Sequence, residues 1–466
     1  MRISNIVTSS VFSVLSVAAF AACGNSKTNV SDFGASSAGG ATGTGGGTAA
    51  GGNGTGASKG MAAGGASAKG GAGIIGAAGG NGPGGPGAGG GNSTCLSGPN
   101  EDNDKDGWTQ AQGDCNDCDP NVNPGALDIV NKDMAGTALA ADKQVDEDCN
   151  GTATQPGDDL SCDKGLPIAP GDAFDAAKAM ELCNVKVDPS DAATPAKKWG
   201  VTQAVYGGIT GGLFKTPLPM SSKPMELNYG IVPNFGPKTV PQGGHSIFVL
   251  SAGEARAPGQ AGYDAASVCS FDKGYSDGYP SGFPKSGSCG TQGDPHDGVA
   301  LDIEIRVPTN AHTMTFNFRF FTCEYPVFVC EVYNDIFAVL MNPSPLPMTD
   351  SMWPDIAFEA KGMAKNVIGV NNESFLTACT KGAAMQGNYA NCKGEGDLAG
   401  SGFETHAASA WLQSQVPVNA GQKIQLRLAI WDSQDGVLDS TAAVDNFQFT
   451  ADQGTGVGTV IVPNPN

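Results

Sequence analysis

The heptapeptide Met314–Phe320 reads MTFNFRF and alternates strictly between apolar and polar side chains. Successive side chains of an extended chain point to opposite faces, so this pattern predicts a β-strand with one buried face and one solvent-facing face. Residues 424–430, which read IQLRLAI, repeat the pattern. Further apolar runs between loops rich in Gly, Pro and Asn lie at 247–250, 299–305, 336–340 and 444–449. The sequence therefore predicts a mainly β fold, an antiparallel β-sandwich or jelly roll, over residues 163–453.

The segments that flank these strands are predicted to be short. Residues 173–180 read AFDAAKAM, a composition that indicates one short helix near the start of the β domain. Residues 454–466 follow the last strand and are predicted to form a C-terminal tail.

The charge balance of the 466-residue chain limits its partners. Acidic side chains number 46 against 26 basic ones, and the formal net charge is −20. Proteins that bind nucleic acids or anionic membrane surfaces present basic surfaces, so this composition argues against both classes. Cations are the favoured partners.

The N-terminus predicts export and lipid attachment. Within residues 1–22, Arg2 precedes an apolar run and a stretch of small residues, as in a secretory signal peptide. The sequence around Cys23 resembles a bacterial lipobox, in which the cysteine becomes the mature N-terminus and carries lipid chains. We therefore predict a lipoprotein held in the cell envelope, at the outer membrane or cell surface. The alternative is an ordinary signal peptide cut near Ala22, which leaves Cys23 as a free thiol.

Residues 23–94 are predicted to be a disordered tether. Between residues 34 and 94 the chain has 27 glycines, two charged residues and no aromatic residue, so it cannot bury a core. Setting Cys23 aside, 12 of the 13 cysteines remain. An even number is expected for a disulfide framework formed outside the cytoplasm.

Residues 95–162 form an acidic, loop-rich module that predicts a calcium site. The spacing D-x-D-x-D-G at residues 102–107 is that of the opening of a calcium loop, because alternate side chains converge on one point and the glycine permits a sharp turn. The twelfth position, where an EF-hand has a glutamate, is Gly113, so Asp114 or Asp117 is expected to close the site. The predicted ligands are Asp102, Asp104, Asp106, the carbonyl of Trp108, Asp114 and Asp117. The alternative is an acidic, solvated spacer without a fixed ion.

The acidic pattern from Asp102 to Gly151 resembles the MopE-like metal-binding motif of secreted bacterial surface proteins. The resemblance implies a metal site, and copper has been associated with members whose sites use imidazole. This chain has no histidine before His245, so we expect calcium, which prefers oxygen ligands. The chain departs from the motif at Cys118, where a polar residue is usual, and through a longer insertion at residues 128–142.

Several motifs of the β region resemble the choice-of-anchor L domain of bacterial surface proteins. They are IFVLSAGEA at 247–255, FNFRF at 316–320 leading into EYP at 324–326, YNDIF at 333–337, LAIWD at 428–432 and DNF at 445–447. The resemblance covers roughly residues 170–450 and implies a β domain presented at the cell surface. It implies a location and no particular ligand.

Acidic and amide side chains of the β domain provide a second group of candidate cation ligands. They are Glu324, Asn334, Asp335, Asp432 and Asp439. The alternative is that such residues cap turns and fix loops by accepting local amide hydrogen bonds. The four histidines have no spacing that is typical of a metal or catalytic site.

Sequence proximity predicts several disulfides. Cys115 and Cys149 bracket the acidic motif and are expected to bond to each other. Three sequentially close pairs are expected to pin loops of the β domain, namely Cys269 with Cys289, Cys323 with Cys330, and Cys379 with Cys392. The remaining Cys95, Cys118, Cys162 and Cys183 can pair in three ways that the sequence does not separate.

Together these features predict a lipid-anchored surface protein without enzymatic activity. A calcium-stabilised module would present a β-sandwich that binds an unknown glycan or protein ligand, or that serves as a structural part of the envelope. Aromatic residues in or near loops are candidates for ligand contact, namely Tyr275, Tyr279, Trp353 and Trp411. The alternative is a secreted or surface hydrolase with a carboxylate-based or metal-assisted site in the β domain.

Overall fold

The computed structural model describes residues 98–187, 198–219, 225–267, 269–280, 283, 289, 292–346, 355–361 and 364–464. The predicted signal peptide, the lipidation site Cys23, the tether of residues 23–94, and both Cys95 and Trp353 lie outside the described residues. Within these ranges, no helix has the length and apolar character needed to span a membrane.

Regular structure in the described residues consists of fourteen strands, one α-helix and four 3-10 turns. The strands are β1 (Gly200–Gly207), β2 (Tyr229–Val232), β3 (Ile247–Ser251), β4 (Pro295–Arg306), β5 (Thr313–Thr322), β6 (Ile336–Asn342), β7 (Phe358–Lys361), β8 (Ala364–Gly369), β9 (Leu376–Ala378), β10 (Ala407–Ser409), β11 (Leu412–Pro417), β12 (Lys423–Ser433), β13 (Ser440–Thr450) and β14 (Gly458–Ile461). The helix is α1 (Ala173–Ala179), and the 3-10 turns are Gln110–Gln112, Ala141–Lys143, Met225–Leu227 and Gly396–Leu398.

The strands form two antiparallel sheets, which confirms the predicted mainly β fold. Among the described strands, the first sheet has the order β1-β4-β12-β6-β8-β7. The second sheet has the order β14-β11-β5-β13-β3-β2, with β10 paired to β5 and β9 paired to β10. Strands that pair are mostly distant in sequence, as for β4 with β12, so the fold depends on long-range contacts.

The apolar face of Met314–Phe320 lies in the core between the sheets, as predicted. Phe316, Phe318 and Phe320 on β5 are buried in one cluster with residues of β4, β6 and β12 from the other sheet. The rings of Phe318 and Phe337 lie 5.3 Å apart and join the two sheets directly. Burial of this apolar surface is the main source of stability for such a layered fold.

The prediction that the other face of this strand is open to solvent was wrong. Arg319 is only 2% exposed, and its guanidinium donates to Ser409 O and to Thr239 Oγ1. A second apolar cluster, which includes Phe235 and Trp411, covers this outer face. Long connecting segments pack over the sheet and supply the hydrogen-bond acceptors that a buried guanidinium needs.

The outer face of the first sheet is covered as well. Trp431 on β12 is fully buried, and its ring packs edge-on against Phe283 at 5.0 Å. A third apolar cluster surrounds it, with Ile209 among its members. Both sheets therefore bury polar as well as apolar faces, and charged residues of the strands must find partners inside the protein.

The short helix α1 confirms the prediction for residues 173–180. The Asp172 carboxylate accepts a hydrogen bond from Phe174 N and caps the first turn. Ala173, Ala176 and Ala177 face the core, and small side chains allow this close packing. The helix thus lies directly on the sandwich.

The acidic module is bound to the sandwich through the loop between β4 and β5. Asn310 accepts from Leu127 N at 2.9 Å and donates to Leu127 O at 2.9 Å. Beside it, the Thr309 hydroxyl donates to Asn123 Oδ1 and Thr309 N donates to Gly125 O. These buried polar contacts fix the module on one end of the β domain.

Residues 454–466, predicted as a tail, contribute a strand to the second sheet. Strand β14 pairs with β11 in a register that places Leu412 opposite Ile461. The run of β-branched residues at 459–462 is consistent with this pairing.

The structure confirms two of the predicted disulfides and corrects two. Cys115–Cys149 and Cys379–Cys392 form as expected. The predicted pairs Cys269 with Cys289 and Cys323 with Cys330 were wrong. The observed bonds are Cys162–Cys183, Cys269–Cys323 and Cys289–Cys330, and Cys118 is also disulfide-bonded.

The reason for this correction is that the fold brings distant loops together. Leu438 N donates to Cys269 O and Cys323 N donates to Asp439 O, so both cysteines lie next to residues 438–439, directly before β13. Distance along the chain therefore does not predict this pairing.

Candidate cation sites

The loop at residues 102–107 has the geometry that its spacing predicts. Asp102 accepts from Lys105 N at 2.7 Å and from Gly107 N at 3.0 Å. Asp104 Oδ1 accepts from Asp106 N, and Asp106 Oδ1 accepts from Trp108 N at 2.6 Å. These bonds hold the carboxylates in place. They use Oδ1 of Asp104 and Oδ1 of Asp106, so the Oδ2 atom of each takes no part in them.

All five predicted carboxylates of the module come together. Asp102, Asp104 and Asp117 form one group whose ligand oxygens lie within 4.8 Å of one another. A second group with the same spacing contains Asp104, Asp106 and Asp114. Asp104 belongs to both groups, so both residues considered as closing ligands join the cluster. The Trp108 side chain is fully buried.

Three carboxylate oxygens in this cluster are buried without a hydrogen-bond partner among the described residues. They are the Oδ2 atoms of Asp104, Asp106 and Asp114. Asp114 is only 4% exposed. Burial, and next the nearby carboxylates, raise the pKa of Asp106 to about 6 and that of Asp114 to about 7. Buried oxygens of this kind require either a proton or a cation.

Asp117 has a different local role. Its Oδ1 accepts from Asn103 N at 3.0 Å and its Oδ2 accepts from Asn103 Nδ2 at 3.1 Å. It therefore fixes the start of the loop, and each oxygen keeps a further lone pair for a cation.

The acidic pattern that ends at Gly151 contains a second loop of the same type, to which no ligands were assigned from the sequence. Residues 146–151 read DEDCNG, and Asp146 Oδ2 accepts from Gly151 N just as Asp102 Oδ2 accepts from Gly107 N. Asp128, Asp146 and Asp148 form a third carboxylate group. The repeated D-x-D-x-[DN]-G spacing was the signal that could have found it. Asp128 comes from the predicted insertion and accepts from Glu147 N and Thr154 N.

In the β domain, four members of the predicted second group lie near enough to interact electrostatically, and all four are deeply buried. Glu324, Asp335, Asp432 and Asp439 are each at most 3% exposed. Asp335 accepts from Ser433 N at 2.9 Å and from the Ser440 hydroxyl at 2.6 Å. Asn334 faces away from these acids, since its Oδ1 accepts from Asn371 N.

Asp432 is the most unusual member of this group. It is fully buried, and neither of its carboxylate oxygens has a hydrogen-bond partner in the described part of the chain. Burial and the neighbouring Asp335 raise its pKa well above the ordinary value, while the buried Lys273 opposes that rise. The same two causes raise the pKa of Glu324 to about 10.

The aromatic residues proposed for ligand contact are not exposed platforms. Trp411 is 2% exposed and belongs to the cluster behind the second sheet. Tyr275 is partly buried, and its hydroxyl donates to Gly298 O at 2.7 Å. Tyr279 is also partly buried and packs edge-on against Trp431. These rings stabilise the fold, so Trp411, Tyr275 and Tyr279 are no longer candidates for ligand contact.

The family comparison supports the predicted β domain. Residues 250–449 match the family model of the Choice-of-anchor L domain. A search of curated proteins gave no match.

Solved structures similar to parts of the chain are cleaved adhesin domains of Lys-gingipain from Porphyromonas gingivalis. The K1 domain is 11% identical, with 54% of this chain and 99% of that chain covered, and the TM-score is 0.20. The K2 domain is 9% identical, with 53% and 98% covered, and the TM-score is also 0.20. These TM-scores are too low to carry an inference about this chain.

Proposed function

We propose that this chain is a lipid-anchored cell-surface protein whose β domain binds an external ligand and whose acidic module folds around calcium. The match of residues 250–449 to the Choice-of-anchor L domain supports presentation at the cell surface. The lipobox-like sequence at Cys23 supplies the attachment, and the glycine-rich residues 23–94 supply the reach.

The observation that carries the calcium assignment is the set of unpartnered Oδ2 atoms on Asp104, Asp106 and Asp114. Calcium takes six to eight oxygen ligands in flexible geometry, and carboxylates with a backbone carbonyl are suitable donors. Copper and zinc prefer imidazole or thiolate, and the described cysteines of the module, Cys115, Cys118 and Cys149, are disulfide-bonded. Extracellular calcium modules bind at about 10⁻⁴–10⁻³ M, which suits a permanent structural clamp.

Thermal unfolding of the oxidised full chain tests this assignment. We expect calcium at several millimolar to raise the unfolding midpoint above that in chelator, because a ligand that binds only the folded state stabilises it. Asp114→Asn is expected to lose most of that rise. Asp142→Asn, in an exposed position of the same module, is the matched control and is expected to keep it. A rise seen only with copper or zinc contradicts the assignment.

We propose that the β domain acts by binding and not by catalysis. Its acidic group is at most 3% exposed, and the cavity of about 10 Å³ beside Asp439 has room for one water molecule at most. The described residues therefore leave no room for a substrate beside these carboxylates. Their burial requires neutralisation by protons or by a cation, and we propose a cation among Glu324, Asp335, Asp432 and Asp439 for this role.

Asp432→Asn separates this role from the hydrolase alternative. A structural cation is supported if Asp432→Asn loses a calcium-dependent part of the unfolding free energy and neither the variant nor the wild-type chain has hydrolytic activity. Hydrolysis of peptide or glycoside substrates that the variant abolishes supports the hydrolase.

Surface attachment is tested at Cys23. Cells that express the wild-type chain are expected to incorporate labelled fatty acid into it, and protease added to intact cells is expected to degrade it. The Cys23→Ser chain is expected to incorporate no label. An unlabelled wild-type chain contradicts lipid anchoring, and a labelled chain that is protected from protease contradicts surface exposure.

A further inference from the structure

Three acidic side chains outside both predicted sites meet near the end of α1. Asp163 lies before the helix, Glu181 lies directly after it, and Asp445 lies on β13. Asp163 is 1% exposed and Asp445 is fully buried. Their separation in sequence forms no motif, so sequence spacing gives no sign of this group.

The loop between β2 and β3 passes through the middle of the group. Asp445 Oδ2 accepts from Gln242 N at 2.6 Å, and Asp163 Oδ2 accepts from His245 N at 2.7 Å. Between these two anchors, Gly243 and Gly244 lie against the carboxylate of Glu181.

The two glycines show how closely the carboxylates approach. A Cβ on Gly244 would overlap Glu181 Oε1 and would lie 2.9 Å from each oxygen of Asp163. A Cβ on Gly243 would overlap Glu181 Oε2 and would lie 3.2 Å from Asn446 Oδ1. Oxygen atoms of Glu181, Asp163 and Asn446 therefore converge on this backbone.

Several of these oxygens have no protein partner. Both carboxylate oxygens of Glu181 and Oδ1 of Asp163 are buried and accept no hydrogen bond from the residues described. Asp163 Oδ2 is occupied, since it accepts from the Ser246 hydroxyl as well as from His245 N. One buried carboxylate oxygen thus points into the group from Asp163 and two from Glu181.

The charges within the group have the same sign. Burial, followed by Asp445 and then Asp163, raises the pKa of Glu181 to about 8. Burial also raises the pKa of Asp445 to about 7, in spite of its backbone hydrogen bonds. Three such carboxylates are mutually repulsive when ionised, so protons or a cation must neutralise them.

We propose that Glu181 and Asp163 bind a structural calcium ion beside Gly243 and Gly244, with Asp445 adding negative charge next to the site. The donors are oxygen atoms, which calcium and magnesium prefer over transition metals. Calcium is favoured because it accepts flexible oxygen coordination, including a bidentate carboxylate such as that of Glu181, whereas magnesium requires a strict octahedron.

The ion would add a link between the segment that contains α1 and the second sheet. The Cys162–Cys183 disulfide brackets Asp163 and Glu181 and holds both near the sandwich. Phe447 N donates to Met180 O at 2.9 Å and links α1 to β13. A cation among the three acids would fix the segment that follows the acidic module onto the second sheet. This inference is independent of the calcium proposed in the module.

Glu181→Gln in the oxidised full chain is the direct test. Because neither Glu181 oxygen accepts a hydrogen bond in the described residues, the change removes charge and no protein contact. We expect the variant to keep or gain stability in chelator, since repulsion is relieved, and to show a smaller rise of the unfolding midpoint with calcium. Glu226→Gln, at an exposed position, is expected to behave as wild type.

Testing the same change in the Asp114→Asn background separates this site from the module. A calcium-dependent rise that survives Asp114→Asn and is then lost with Glu181→Gln supports the site. A full wild-type rise in Glu181→Gln overturns it, and indicates that protons neutralise the group.

A measurement on wild-type crystals avoids any variant that fails to fold. Soaking with gadolinium, which replaces calcium at oxygen sites, is expected to give an anomalous peak beside the carboxylates of Glu181 and Asp163. A peak in the module with none at this position overturns the inference and leaves the module assignment intact.

Discussion

The acidic module and the β-sandwich both collect carboxylates, but over very different lengths of chain. The module gathers its five between Asp102 and Asp117, where regular spacing makes them visible in the sequence. The sandwich gathers Asp163, Glu181 and Asp445 only because its fold brings distant segments together. Both groups contain buried oxygens without protein partners. Unpartnered oxygens therefore locate candidate cation sites that spacing alone does not.

The largest expected effect is a loss of sandwich stability, caused by a substitution that lies outside both carboxylate groups. Phe318→Ala removes a buried ring between the two sheets, and substitutions of this type cost about 3–5 kcal/mol of unfolding free energy. Denaturant unfolding is expected to show this loss equally in calcium and in chelator. Val327→Ala, at an exposed side chain, is the control. A loss that appears only in chelator would mean that the apolar core depends on the cation sites.

The next effect tests how the long-range group is held together. Replacing Cys162 and Cys183 by serine is expected to cost about 2–4 kcal/mol, the usual value for a disulfide. It should also weaken the calcium response assigned to Glu181, because the bond brackets two of its ligands. Removal of Cys379–Cys392 is the matched control, with a similar loss and an unchanged calcium response. Equal calcium responses in the two variants would show that the Cys162–Cys183 bond does not position the group.

The smallest effect concerns a buried acid that belongs to neither group. Asp355 accepts from Val339 N and Ala357 N, and burial raises its pKa from 3.8 to about 7. The folded chain therefore binds more protons than the unfolded chain between about pH 4 and 7, so stability falls as pH rises across this interval. Asp355→Asn keeps the acceptor oxygen and is expected to flatten that fall in unfolding experiments done in chelator. An unchanged pH profile contradicts this assignment.

The sequence predicted the strands well because their signal is local. Met314–Phe320 and residues 424–430 both form strands with their apolar faces inward. The strand face that carries Arg319 was wrongly expected to be exposed, because alternation does not reveal that segments elsewhere in the chain cover a sheet. Polar side chains in alternating strands are therefore a weak sign of exposure in a domain with long loops.

The candidate sites divide in the same way. The cluster of Asp102, Asp104, Asp106, Asp114 and Asp117 was predictable because its residues are close in sequence. Glu181 was not predictable as a ligand, since Asp163 and Asp445 lie far from it along the chain. The sequence next to Glu181 indicates only the end of a helix. The Cys269–Cys323 bond was missed for the same reason. Contacts that tertiary folding creates leave no local pattern.

Equilibrium dialysis with radioactive calcium tests the central claim most directly, because it counts ions on the oxidised full chain. We predict that Asp114→Asn and Glu181→Gln each bind less calcium at saturation than wild type, and that the double variant loses the sum of the two. Additive losses are expected for independent sites. Wild-type binding in both single variants would contradict the account that unpartnered buried carboxylate oxygens mark the cation sites of this protein.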